Sequence, residues 1–226
     1  EEAVVLLDKY ILDDTTNAEA YTQRAECFRG LSLQRDYYLL HIRAQEDALF
    51  ALNLGSTSVK TYAVLGLIAC DSRNKHEALD YFNKAIAADS TYSRAYNGRG
   101  GVYFYFFNDD TLGLNDLNRA IQLDSTNGHS YYNRALIHRK REHYSAAAKE
   151  FSMAIKYSDD WYDTYRQRAE CYLKIGEYEN AINDYNYLII NNPDIIENPT
   201  KLLIKDKSIF FSVLISALLI LTSFIL

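Results

Sequence analysis

Along residues 1–195, apolar and small residues recur three and four positions apart in short blocks, each closed by a polar or glycine-containing turn. Residues 162–195 show one unit. Tyr165, Ala169, Tyr172 and Leu173 share a helical face, Gly176-Glu177-Tyr178 interrupts it, and Ala181, Ile182, Tyr185, Leu188 and Ile189 form a second face ending before Pro193. This spacing marks amphipathic helices rather than strands, so each unit predicts an αα-hairpin. Tyr131, Ala135, His138, Tyr144, Ala147, Phe151, Ala154 and Ile155 repeat the pattern one unit earlier. Tyr62, Leu65, Gly66, Ala78, Phe82, Ala85 and Ile86 repeat it over 59–92.

The hairpins are in phase. Tyr21, Tyr62, Tyr96, Tyr131 and Tyr165 are separated by 41, 34, 35 and 34 residues. Each is followed four residues later by a small residue, namely Ala25, Gly66, Gly100, Ala135 and Ala169. A second small residue keeps step at Ala44, Ala78, Gly113, Ala147 and Ala181. A fixed period near 34 predicts an all-α solenoid of stacked antiparallel helix hairpins. Its boundaries fall at 1–17 (a second helix lacking its first), 18–58, 59–92, 93–127, 128–161 and 162–195. A linker or capping segment, 196–207, and a hydrophobic helix, 208–226, follow. The chain opens partway through a repeat, with Ala3, Leu6, Leu7 and Tyr10 on one face, which predicts a truncated or processed N-terminus. Unit 18–58 is seven residues too long between Ala25 and Ala44. About two helical turns predict that both helices lengthen by a turn, with ends protruding near Leu31 to Leu39.

This pattern resembles the tetratricopeptide repeat family. Tyr62-Leu65-Gly66-Ala78-Phe82-Ala85 and Tyr165-Ala169-Tyr172-Ala181-Tyr185-Pro193 follow its signature of an aromatic, a Leu-Gly step, an aromatic, then Ala, aromatic, Ala and Pro. The resemblance implies a right-handed superhelix that grips extended peptides along a concave face lined by the first helices. The chain departs from the family at the closing proline, replaced by Ser56, Ser90, Ser125 and Asp159. These predict that the next helix begins with a polar N-cap, as in Asp89-Ser90-Thr91 and Asp124-Ser125-Thr126.

Where the family has leucine, three residues after the tyrosine, four units carry arginine: Arg24, Arg99, Arg134 and Arg168. The second helices of those units carry an acid just before their packing residue: Asp47, Asp116, Glu150 and Asp184. The unit with Leu65 has Tyr81 there. Arginine and acid come and go together, which predicts a structural Arg–carboxylate bridge inside each of these hairpins. An anion site built from the arginines is the alternative.

On the resemblance, the concave face carries Thr22, Glu26 and Arg29, then Ala63, Leu67 and Cys70. Its C-terminal half carries Asn97, Phe104, Tyr105, Tyr132, Leu136, Arg139, Lys140, Arg166, Glu170 and Lys174, aromatics mixed with cations that suit an acidic or aromatic-bearing peptide. The alternative is a set of solvated residues with no specific ligand. Chaperone-binding members grip a C-terminal carboxylate with a basic residue and an Asn four positions on. No repeat here supplies that pair, so a carboxylate-clamp binder is not expected.

Composition narrows the function further. A net charge of −6 gives no support to nucleic-acid binding, and His138-Arg139-Lys140-Arg141 reads as a solvated helix end. Cys27, Cys70 and Cys171 lie in separate repeats; Cys27 and Cys171 hold equivalent places too far apart for a disulfide, and all three read as small buried hydrophobes. The five histidines form no metal-ligand spacing with them, and no nucleophile or phosphate-loop motif is present. The expectation is a non-enzyme without cofactor.

Residues 208–226 contain no charge, and 13 of the 19 are Ile, Leu, Phe or Val. A helix of that length spans about 28 Å, near the hydrocarbon thickness, which predicts a single transmembrane helix; a capping helix is the alternative. Lys201, Lys205 and Lys207 precede it and place the repeats in the cytoplasm. The function expected is a membrane-anchored scaffold or adaptor binding a protein or peptide partner. The alternative is the sensor or docking region of a longer membrane signalling protein.

Overall fold

The computed structural model describes residues 2–32, 37–158 and 162–191. Asp159, Pro193, the segment 196–207 and the hydrophobic stretch 208–226 lie outside the described residues. The chain divides into two compact units, Glu1–Ser125 and Thr126–Leu226.

The first unit holds α1 (Glu2–Asp13), α2 (Ala18–Ser32), α3 (Tyr37–Asn53), α4 (Val59–Asp71), α5 (Lys75–Ala88), α6 (Ser93–Phe107) and α7 (Asp110–Leu123). The second holds α8 (Gly128–Lys140), α9 (Tyr144–Tyr157), α10 (Tyr162–Ile175) and α11 (Tyr178–Asn191). Among the described residues all regular structure is helical. Hairpins pair α2 with α3, α4 with α5 and α6 with α7, then α8 with α9 and α10 with α11. Each first helix within a unit also packs on the second helix before it, as α2 does on α1, α6 on α5 and α10 on α9.

The recurrent small residues explain the close packing. Ala25, Ala44, Ala78, Ala135, Ala147, Ala169 and Ala181 are fully buried. Fully buried Phe82 fills the space between α4 and α6 because both present glycine to its ring. A Cβ on Gly66 would stand 2.9 Å from that ring, and one on Gly98 only 2.3 Å. Close-packed interiors have no slack to absorb such an overlap.

The turns inside the hairpins repeat as well. Arg73, Asn108, Glu142 and Gly176 each take a left-handed backbone, with φ of 58°, 55°, 61° and 79°. Each follows a first helix and reverses the chain into the second, in the manner of helix C-termini generally.

One sequence expectation needs correction. Among the described residues, Ser56, Ser90 and Ser125 at the proline place do not cap the next helix. Asp89 closes α5 and accepts from Thr91 N at 2.8 Å, while α6 begins after Tyr92, which makes no side-chain cap bond. Ser56 bonds Thr61 Oγ1 at 2.9 Å instead, and the caps lie two residues further on, at Ser58 for α4 and Asn127 for α8. An Asx-type turn competes with capping for the same short side chains. The surplus of unit 18–58 falls partly within the described residues. Helix α3 has 17 residues against 14 in α5, but α2 has 15, the same as α6. Arg29 of α2 is locked to Asp71 at the end of α4 (2.7 and 3.3 Å). Residues 33–36, where the expected protruding ends fall, lie outside the described residues.

Candidate functional site

The arginines of the four hairpins each face an acid on the second helix. Arg24 Nε and Nη2 donate to Asp47 at 2.7 and 2.8 Å, and Arg99 does the same to Asp116 at 2.7 and 2.8 Å. Arg134 donates from Nε to Glu150 at 3.1 Å and from Nη2 at 2.8 Å, and Arg168 to Asp184 at 2.9 and 2.6 Å. These are bidentate, mostly buried pairs. Burial works against the charge on Arg168, yet Asp184 more than offsets it and holds the guanidinium above its usual range.

Two partners were not legible as such in the sequence. Each guanidinium lies over the tyrosine three residues before it, at 5.4 Å for Tyr21, 5.7 Å for Tyr96, 5.6 Å for Tyr131 and 5.4 Å for Tyr165. Three of them also use Nη1 to reach the preceding second helix, at Asp8 (2.6 Å), Asn83 (2.8 Å) and Ser152 (2.9 Å). In each of these three cases one arginine fastens three helices. The constant offset of 16 residues was the available signal.

The residues expected to bind a partner divide between the units. Asn97, Phe104 and Tyr105 lie on α6, where the Phe104 and Tyr105 rings meet edge-on at 4.8 Å and Tyr105 is exposed. Elsewhere on the first helices of that unit, Lys60 reaches Glu19 at 3.1 Å and Arg94 reaches Glu26 at 3.2 Å.

Tyr132, Arg139 and Lys140 lie on α8, and Arg166, Glu170 and Lys174 on α10. The structure joins four of these six in one polar chain. Tyr132 Oη donates to Asp163 Oδ2 at 2.6 Å, and Asp163 pairs through its other oxygen with Arg166. Arg166 Nη1 donates to Glu170 Oε1 at 3.1 Å, and Arg139 Nη1 to Glu170 Oε2 at 2.8 Å. Asp163 was missed from the sequence, although an acid three residues before an arginine on a helix is a recognisable pair. Burial alone would raise its carboxyl; bonds from Tyr132 and Arg166 reverse that and hold it below the ordinary aspartate range.

Two arginines are thus answered by two acids, while Lys140 and Lys174 stand exposed in the last turns of α8 and α10. Tyr132 also packs edge-on against buried Phe151, ring centroids 5.8 Å apart. The result is a braced face with an aromatic at one end and cations at the other. Cys171 lies just beneath, where burial pushes its thiol up to about 11. Burial pushes the Cys70 thiol up to about 12, so both are poor nucleophiles. Among the described residues no cluster of three metal-ligating side chains occurs, and no helix is long and apolar enough to cross a membrane.

Residues 59–92 match the family model of the tetratricopeptide repeat. No curated protein matches the chain by sequence. Solved structures share its fold. The APC/C hetero-tetramer Cut9–Hcn1 superposes with a TM-score of 0.77 at 20% identity, over 90% of this chain and 39% of that one. PilF of Pseudomonas aeruginosa gives 0.63 at 21% identity, over 76% of this chain and 74% of that one. YrrB, described as a TPR protein with an unusual peptide-binding site, gives 0.52 at 19% identity, over 84% and 94%. The chain therefore contains a tetratricopeptide repeat at 59–92 and has the helical-repeat fold of tetratricopeptide proteins.

Proposed function

We propose that the chain is a non-catalytic protein-interaction scaffold that holds a peptide or protein partner on its first-helix face, centred on α8 and α10. The observation that carries this reading is the braced chain Tyr132–Asp163–Arg166–Glu170–Arg139. Such bracing fixes side chains before a ligand arrives and lowers the entropy lost on binding. With Lys140 and Lys174 beside it, the face favours an extended partner carrying acidic and aromatic residues. The likeness to YrrB, whose description names a peptide-binding site, agrees with this use of the fold. We further infer that 208–226 anchors the protein in a membrane with the repeats in the cytoplasm, on the strength of its 19 uncharged residues and the lysines before them.

The test is affinity capture by the full chain beside a Tyr132→Ala/Arg166→Ala variant whose helicity is checked by circular dichroism. A specific partner recovered by the parent should fall at least tenfold with the variant. Equal recovery by both would overturn the assignment of the face.

A further inference from the structure

The hairpin 59–92 lacks two groups that the other four hairpins supply. Three residues after its tyrosine it has Leu65 in place of arginine. Seven residues after the tyrosine it has Ala69, where the others carry a ring: Phe28, Tyr103, His138 and Tyr172. In two of them the arginine lies over that ring, Arg24 over Phe28 at 5.9 Å and Arg168 over Tyr172 at 5.8 Å. In 59–92 the corresponding space is a cavity of about 240 Å³ between α3, α4 and α5, floored by Leu65, Ile68 and Ala69.

Its walls differ from those of a dry packing void, which are apolar. Gln45 of α3 and Glu77 of α5 line it, with the Tyr81 ring beside them. Gln45 and Glu77 stand four residues before Leu49 and Tyr81, which hold the places of the arginine's partners in other hairpins. The polar pair on the two second helices is thus displaced by one helical turn, and the α4 residue at that level is Ala69, too short to meet it. Glu77 is held in position, since its carboxylate accepts from Asn74 Nδ2 at 2.6 Å and Asn74 caps α5 through the Glu77 N–H. A carboxylate offers about four acceptor sites, so room for further donors remains. Burial, and after it the Glu77 charge, push the Tyr81 phenol up. Lys84 lies over the Tyr81 ring at 5.4 Å, but its own charge is answered by Asp80 at 2.7 Å.

We propose that this cavity binds an alkylguanidinium group from another molecule, with the stem on Leu65, Ile68 and Ala69, the guanidinium plane against Tyr81, and its N–H groups donating to Glu77 and to the side-chain oxygen of Gln45. A planar fork of donors can stack on a ring and reach acceptors on two helices at once, which a compact ammonium cannot. Arg24, Arg99 and Arg168 use their guanidinium groups in this way, each bonding both its own second helix and the one before. The volume lies below the about 300–1,000 Å³ of pockets for drug-sized ligands, so the occupant is the size of one side chain.

Saturation-transfer NMR on the full chain titrated with ethylguanidinium tests this. The ethyl protons should show saturable binding, at least fivefold tighter than that of ethylammonium. Glu77→Gln removes the charge but keeps an acceptor for Asn74, and should weaken binding at least fivefold. Ala69→Tyr restores the ring that other hairpins carry and should abolish binding, with circular dichroism confirming that both variants remain helical. Should Ala69→Tyr fail to fold, Glu77→Gln still decides. A parallel titration with arginine blocked at both ends separates the sources of the group. Binding of both probes assigns the cavity to an arginine side chain, and binding of ethylguanidinium alone assigns it to a free small molecule. Absence of saturable binding by the parent, equal binding of ethylammonium, or unchanged binding by Glu77→Gln overturns the proposal.

Discussion

The hairpin 59–92 and the hairpin 93–127 share a helix–turn–helix frame with one left-handed turn residue each, but have opposite chemistry at one place between them. In the second, Arg99 reaches Asp116 within its hairpin and Asn83 on the helix before. In the first, the three corresponding residues are Leu65, Tyr81 and Leu49, all able to pack without charge. Nothing is replaced singly. The physical reason is that a lone guanidinium or carboxylate at this depth loses its hydration and gains no partner, whereas a full polar set or a full apolar set satisfies itself. The fold accepts either solution because the position is about one-fifth exposed for Arg99 and almost closed for Leu65, at 2%.

The largest expected break in this comparison is Leu65→Arg alone. It puts a charge into a closed site and removes apolar burial, which should destabilise the first unit by about 4 kcal/mol. Urea denaturation measures it, and adding Tyr81→Asp should recover at least half. Failure of that rescue would mean that the two solutions are not interchangeable. Asp116→Ala comes next. It leaves Arg99 with Asn83 and partial solvent contact, so about 3 kcal/mol is expected, read from the same denaturation curves. The smallest effect should come from converting the charged pair outright. Arg99→Leu with Asp116→Tyr should stay within about 1 kcal/mol of the parent, because well-packed apolar replacements of a buried ion pair are near neutral. A loss as large as that of Asp116→Ala would show that the bridge contributes net stability rather than only avoiding an unpaired charge.

The two halves of the α8–α10 face also compare instructively with the sequence. Tyr132, Arg139, Arg166 and Glu170 could be placed on first helices by phase alone. That Glu170 answers both arginines, and that Tyr132 and Arg166 share Asp163, could not. Phase gives a side chain its face, but which neighbour it reaches depends on the lateral offset between packed helices. The misplaced caps teach the same lesson at the scale of a turn. In the sequence Asp89 and Ser90 read as caps of the next helix, but whether such a residue ends one helix or starts the next depends on where the following helix docks.

By itself the sequence determined the helical hairpins, their period and the pairing of arginine with acid, because each is carried by spacing within one chain and survives any rigid movement of the parts. It did not determine the third arm of the arginine at the preceding helix, the three extra residues in α3, or the cavity above Leu65. Those were decided only in three dimensions, since each depends on which surfaces the packed helices cover and which they leave to solvent.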